Sequence, residues 1–246
     1  MTARPRRATP GEPRRPPIRC HDGEHGHGHD RGDGHDAGHD HGHGGGGSPG
    51  AAWDERFSAS GWPEDPDEPL VGLVGPLEPG RAIDLGCGPG RNAIWLARQG
   101  WAVTGVDASA VGLAQAKERA EREGLVLELV QADLLSYVPA KEGFDLVVVA
   151  NVHLAPADRG PFLARAVAAV SPGGHLFVSG HHLDSFGRAG PPFPERLYTE
   201  ELLAGLLAPL AARVRRHERP AGEAGSLPLV DVVAWAKAPG GSGGGR

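Results

Sequence analysis

The chain is 246 residues long, carries a formal charge of −6 and is 39% hydrophobic, enough for one ordinary domain with length left over. It has no run of about 18 apolar residues and no early apolar segment, so neither a membrane-spanning helix nor a secretory signal is expected. Its two cysteines, Cys20 and Cys87, form no disulfide framework, and the expected compartment is the reducing cytoplasm.

Along the chain, residues 1–50 are expected to stand outside the fold. Arg4, Arg6, Arg7, Arg14, Arg15 and Arg19 lie among prolines, and a tract of His, Asp and Gly runs from His21 to Gly47. Neither part has the apolar side chains needed to offset the entropy of ordering a backbone. The arginines read as a solvated basic tail, so nucleic acid is not an expected partner. His21, His25, His27, His29, His35, His39, His41 and His43 offer imidazoles for Ni²⁺, Zn²⁺ or Cu²⁺, although no cysteine pair accompanies them as in a zinc finger. The expected domain is 51–238, with 239–246 as a glycine-rich tail.

Inside that domain, strand and helix patterns alternate. The first strand, 81–85, opens into Gly86-Cys87-Gly88-Pro89-Gly90, and a helix is expected over 93–99. A strand, a glycine turn and a helix build the floor of a nucleotide site in doubly wound α/β sheets. The second strand, 102–106, ends at Asp107, about 20 residues beyond the turn, where a carboxylate can accept hydrogen bonds from a ribose diol. Ser109 then offers a helix N-cap, and Leu113, Ala116 and Ala120 share one helical face. Strands at 125–130 and 144–149 follow. The second of these is nearly all apolar, as suits a central strand covered on both faces. Phe162, Leu163, Ala166, Val167 and Val170 repeat at helical spacing, and so do Leu202, Leu203, Leu206, Leu207 and Leu210 after the N-cap Thr199. The strand at 174–179 lies between these two helices. The last strands, 213–218 and 229–236, have no helix between them and can therefore be antiparallel. The expected fold is a doubly wound, mostly parallel, seven-stranded α/β sheet with its last strand antiparallel.

The turn also says which nucleotide is expected. Its glycines are spaced G-x-G-x-G, whereas dinucleotide turns read G-x-G-x-x-G, and no phosphate-cradling Lys-Ser or Lys-Thr follows. Asp84, just before the turn, would repel a pyrophosphate. A ligand with a cationic end suits it better, which favours S-adenosylmethionine (SAM) over NAD. Asn151, His153, His181 and His182 follow strand ends at the carboxyl edge, where such sheets place ligands. Asn151 is expected to touch cofactor or substrate. The three histidines are the candidate bases, needed only for an acceptor that keeps a proton of high pKa. Cys87 has no base partner in view and reads as a small residue filling space.

With these residues in view, the chain resembles the class I SAM-dependent methyltransferases over nearly all of 53–237. Asp84-Leu85-Gly86-Cys87-Gly88-Pro89-Gly90 matches that family's first motif, and Asp107 the acidic residue after its second strand. Gln131-Ala132-Asp133-Leu134, Phe144-Asp145-Leu146-Val147-Val148 and Ser171-Pro172-Gly173-Gly174 match later motifs in the same order. The resemblance implies that Asp84 orients the methionine amino group, that Asp133 meets the adenine amino group, and that Leu134 flanks the base. Gly90-Arg91-Asn92-Ala93-Ile94-Trp95-Leu96-Ala97, then Gly100 and Val103, with the early Trp53-Asp54-Glu55-Arg56-Phe57, is similar to the tellurite-resistance and thiopurine-type branch. That branch implies a small-molecule or metalloid acceptor. Two other readings stay open: a NAD-type oxidoreductase on a related fold, and a metal-buffering protein whose domain serves as a binding module.

Overall fold

The computed structural model describes residues 50–59, 62–220 and 227–240. Its centre is a seven-stranded sheet: β1 (Arg81–Leu85), β2 (Ala102–Asp107), β3 (Glu128–Gln131), β4 (Phe144–Ala150), β5 (Val170–His181), β6 (Arg213–Arg219) and β7 (Leu229–Lys237). The spatial order is β3-β2-β1-β4-β5-β7-β6. All pairings from β3 to β5 are parallel, and β7 runs antiparallel to both β5 and β6. The helices are α1 (Ala51–Ser58), α2 (Glu68–Val74), α3 (Arg91–Arg98), α4 (Ala110–Arg122), α5 (Pro156–Ala169) and α6 (Glu200–Leu206). Among the described residues no helix is long and apolar enough to cross a membrane.

The strand side chains alternate between two cores, because successive residues of a strand point to opposite faces. Ile83, Leu85, Val147, Val149, Leu176 and Val178 pack under α5 and α6, against Phe162, Leu163, Ala166 and Leu203. Ala82, Leu146, Val148 and Phe177 pack on the other side, against Leu70 and Val74 of α2, Ala93 and Leu96 of α3, and Leu113 of α4. Burial on both faces is why β4 is apolar at nearly every position.

Both expected N-caps are present. Ser109 Oγ accepts from the Gly112 amide at 3.0 Å, and Thr199 Oγ1 accepts from the Leu202 amide at 3.2 Å. The element boundaries differ from the sequence pattern in physically readable ways. The third strand starts at Glu128 rather than at 125, because the Leu125 amide donates to the Ala120 carbonyl at 2.9 Å and closes α4. Val170, which continues the apolar face of α5, instead leaves the helix and pairs with Phe144 at the start of β5. The leucine-rich helix stops at Leu206 and passes into a single tight turn at Ala208–Leu210, where Pro209 cannot donate to the preceding turn. The α2 helix, which contains Pro69 and Gly72, has no counterpart among the expected elements.

One close contact fixes the end of β5. A Cβ added to Gly180 would lie 2.7 Å from the Tyr198 ring and 3.2 Å from His153 Cε1, and Tyr198 is itself only 1% exposed. Gly180→Ala is therefore expected to destabilise the protein by about 1–3 kcal/mol through overpacking. Urea unfolding of the variant checks this, and an unchanged midpoint would mean that the tyrosine yields freely.

Candidate cofactor and acceptor site

The strand order reverses beside β1, whose neighbours are β2 and β4, and sheets of this kind place ligands at such a switch point, outside the carboxyl ends of the strands. The glycine turn lies there. Gly86, Gly88 and Gly90 have φ of +84°, +48° and +83°, in the left-handed region that side chains disfavour. The Gly86 and Cys87 amides donate to the Val106 carbonyl at 2.8 and 3.1 Å, which ties the turn to β2. A Cβ on Gly86 would lie 2.6 Å from Val152 Cγ2 and 3.5 Å from Leu134 Cδ1, so these two side chains wall the turn.

Two carboxylates lie at this turn. Asp107 is a brace: Oδ2 accepts from the Gly88 amide at 2.8 Å and Oδ1 from the Ser109 amide at 2.9 Å. Burial still pushes its pKa up, against these hydrogen bonds. Asp84 is different. It is 1% exposed, and neither carboxylate oxygen has a hydrogen-bond partner among the described residues. Burial pushes its pKa up to about 7; Arg91 pulls it back, and the charges of Asp107 and Asp67 add to the rise. The Ala93 amide, near the start of α3, lies close enough to help without completing a hydrogen bond. A buried carboxylate left unpaired is costly unless something cationic meets it.

Other sequence-chosen residues lie around the same edge. Asp133 Oδ1 accepts from the Leu135 amide at 2.9 Å and shapes the turn that presents Leu134. Asn151 takes φ of +58° and donates its amide to the Ser179 carbonyl at 2.9 Å. Such a strained backbone is typical of ligand-binding positions. Cys87 is a buried free thiol whose pKa desolvation raises, and it fills space beside Gly105. The α1 helix seats on the turn. Asp54 Oδ1 accepts from Ser109 Oγ at 2.6 Å and from the Val111 amide at 3.1 Å. Phe57 lies against Gly88 and Gly112, with Trp53 stacked on it at 5.6 Å and Trp62 edge-on at 4.8 Å.

The three histidines part company. His153 has both ring nitrogens engaged with backbone: Nδ1 with the Arg196 carbonyl at 3.2 Å, and Nε2 accepting from the His181 amide at 3.3 Å. Burial first, then the neighbouring His181, pushes its pKa down to about 3, so it stays neutral. His182 is buried; Nδ1 accepts from the Asp184 amide at 2.9 Å, which leaves Nε2 to donate to Glu200 at 2.9 Å. Both are held as structural groups. His181 instead has Nδ1 at 2.8 Å from Asp231 Oδ1, with no partner for Nε2 among the described residues.

Several site residues carry no motif of their own. The Asp67 amide donates to Asn92 Oδ1 at 2.9 Å, its Oδ2 accepts from Ser179 Oγ at 2.8 Å, and Arg91 approaches at 3.7 Å. Arg91 and Asn92 follow the glycine turn directly and belong to the stretch that carries the branch resemblance, whereas Asp67 gives no signal in the sequence. Among the described residues no cluster of three His, Cys, Asp or Glu could hold a metal ion. His21 to His43 of the tail lie outside the described residues.

Residues 82–174 match the model of a methyltransferase domain. A ubiquinone biosynthesis O-methyltransferase of Methylobacterium sp. (strain 4-46) is 39% identical over 112 residues, covering 46% of this chain and 42% of that protein. The chain thus spans under half the length of this curated relative. TehB from Haemophilus influenzae superposes with a TM-score of 0.58 at 18% identity, over 76% of this chain and 65% of that one. The Burkholderia thailandensis 1,6-didemethyltoxoflavin-N1-methyltransferase, solved with 1,6-didemethyltoxoflavin and S-adenosylhomocysteine bound, gives a TM-score of 0.53 at 26% identity, over 69% and 75%. The glycine turn and the carboxylates Asp84 and Asp107 beside it all lie within the segment that is similar to a methyltransferase domain.

Proposed function

We propose that this protein transfers the methyl group of SAM to a small-molecule acceptor bound at the carboxyl ends of β4 and β5. The observation that carries the reading is Asp84, a buried carboxylate with no hydrogen-bond partner among the described residues, beside a left-handed glycine turn. The ammonium end of SAM is the cation such a group needs. The left-handed turn lets backbone approach the ligand, Asp107 has lone pairs left for the ribose hydroxyls, and Leu134 offers an apolar wall for the adenine. The cofactor supplies an already activated sulfonium methyl, so the protein's main contribution is alignment.

Two acceptor classes enter this reading. The name of the Methylobacterium relative points to a hydroxyl oxygen, and the likeness of Arg91–Ala97 to the tellurite-resistance branch points to a metalloid oxyanion. Isothermal titration is expected to show SAM and S-adenosylhomocysteine binding and NAD failing to bind. Transfer of labelled methyl to catechols, phenols, tellurite, selenite and thiols then sorts the acceptor. Binding of NAD in place of SAM would overturn the proposal.

A further inference from the structure

We propose that His181 is the general base of the methyl transfer, and that the acceptor is accordingly a phenolic hydroxyl rather than a nucleophile that needs no deprotonation. This rests on the methyltransferase reading and deepens it. His181 ends β5, and its antiparallel neighbour across the ladder is Asp231 of β7. Nδ1 of His181 lies 2.8 Å from Asp231 Oδ1, while the other carboxylate oxygen accepts from Arg219 Nε at 2.7 Å. With Nδ1 donating to a carboxylate, the tautomer is set and Nε2 is left with its lone pair. That nitrogen has no partner among the described residues, and the side chain is 18% exposed.

Position supports the role. Side chains alternate along a strand, so His181 shares a face with Ser179 and Phe177. That is the face of β1 on which Asp84 lies, since Phe177 and Ala82 belong to one core. Ser179 Oγ donates to Asp67, which links this edge to Arg91 and Asn92 behind the glycine turn. On the other side, His181 stacks on His153 with ring centroids 5.2 Å apart and planes within 5°. His153 directly follows Val152, which walls Gly86. The free nitrogen thus stands at the carboxyl edge, one strand beyond the β1–β4 switch point.

Other ionisable groups surround the imidazole. Asp231 faces it from β7, and Arg219 from the end of β6. His217, also on β6 and paired in register with Asp231, is occupied with Glu68 of α2 at 3.1 Å. His153 from the β4–α5 loop stays neutral, and Arg159 of α5 lies beyond it against the Tyr198 ring. In the step itself the proton leaves the acceptor oxygen for Nε2, and the freed lone pair forms the new O–C bond. The S–C bonding pair stays on sulfur, and the imidazolium returns its proton to water. Asp231 and Arg219 are positioning residues.

The test uses the full chain at saturating SAM, with catechol and a nitrocatechol that is already ionised near neutral pH. For His181→Gln we expect kcat on catechol to fall by about 100-fold or more, with the nitrocatechol rate kept within about tenfold and SAM affinity unchanged. Asp231→Asn should lower kcat on catechol by about 10- to 100-fold, with the nitrocatechol rate again kept within about tenfold. Equal losses on both acceptors would make His181 structural and overturn the inference. So would a chain that binds SAM and methylates tellurite or thiols but no phenol, which leaves the cofactor reading intact. Failure to bind SAM removes the reading beneath both. If His181→Gln does not fold, Asp231→Asn decides through the same pair of acceptors.

Discussion

Replacing Asp84 with asparagine is expected to stabilise the cofactor-free protein at pH 8 while weakening its hold on SAM. Burial raises the Asp84 pKa to about 7, whereas in the unfolded chain it returns to the ordinary aspartate value of about 3.9. A pKa raised by folding contributes stability that is present below pH 4 and lost as pH rises through 7. Over that window the lost contribution is about 4 kcal/mol, which asparagine, uncharged and of the same shape, does not lose. Asp107 shifts in the same direction as Asp84, while Asp54 and Asp145, held by hydrogen bonds, shift the opposite way. The clean quantity is therefore the difference between variant and wild type, read from melting temperature against pH. Wild-type affinity for SAM should rise about tenfold per pH unit below pH 7 and then level off, because the ammonium selects the ionised carboxylate. The variant should show a flat profile with affinity lower by about 10- to 100-fold at pH 8, the loss of a charged hydrogen bond. Calorimetry across pH decides; parallel profiles would remove Asp84 from the ammonium site.

Asp107→Ala should have the larger effect on the site as a whole. It strips acceptors from the Gly88 and Ser109 amides, each a buried donor whose loss costs about 1–3 kcal/mol. Relief of the buried charge offsets part of this, and we expect a net destabilisation of about 1–3 kcal/mol with SAM affinity down by about 100-fold or more. Asp107→Asn retains one acceptor and should fall between the two. Unfolding midpoints and SAM titrations separate the roles. Unchanged affinity would eliminate the ribose contact, and unchanged stability would eliminate the brace.

The sequence carried the parts of this molecule that local pattern encodes. The glycine turn, the apolar β4 and the caps at Ser109 and Thr199 each follow from residues within a few positions of one another. Where partners come from afar, pattern is silent. Asp231 lies 50 positions from His181, and Ser179 lies 112 from Asp67; nothing in the periodicity of either segment indicates the other. The same blindness made His153, His181 and His182 look alike. All three stand at or just beyond strand ends, and only their hydrogen-bond partners separate two buttresses from one imidazole whose Nε2 has no partner among the described residues. The α2 helix escaped for a different reason: seven residues containing Pro69 and Gly72 have little helical propensity, and packing of Leu70 and Val74 holds them.

The placement of β7 between β5 and β6 has a consequence for the order in which the chain acquires its abilities. Strands β1 to β5 lie within residues 81–181 and can pair among themselves, so the floor under the cofactor closes from one contiguous stretch. The outer edge of β5 then waits, with its backbone donors and acceptors unpaired, until residues 229–237 arrive from some fifty positions away. Such late, non-local pairing slows folding and leaves a sticky edge in the meantime. Asp231 rides on that strand. On the roles proposed above, a partly folded chain would bind the cofactor before it oriented the imidazole, so competence to bind would precede competence to react.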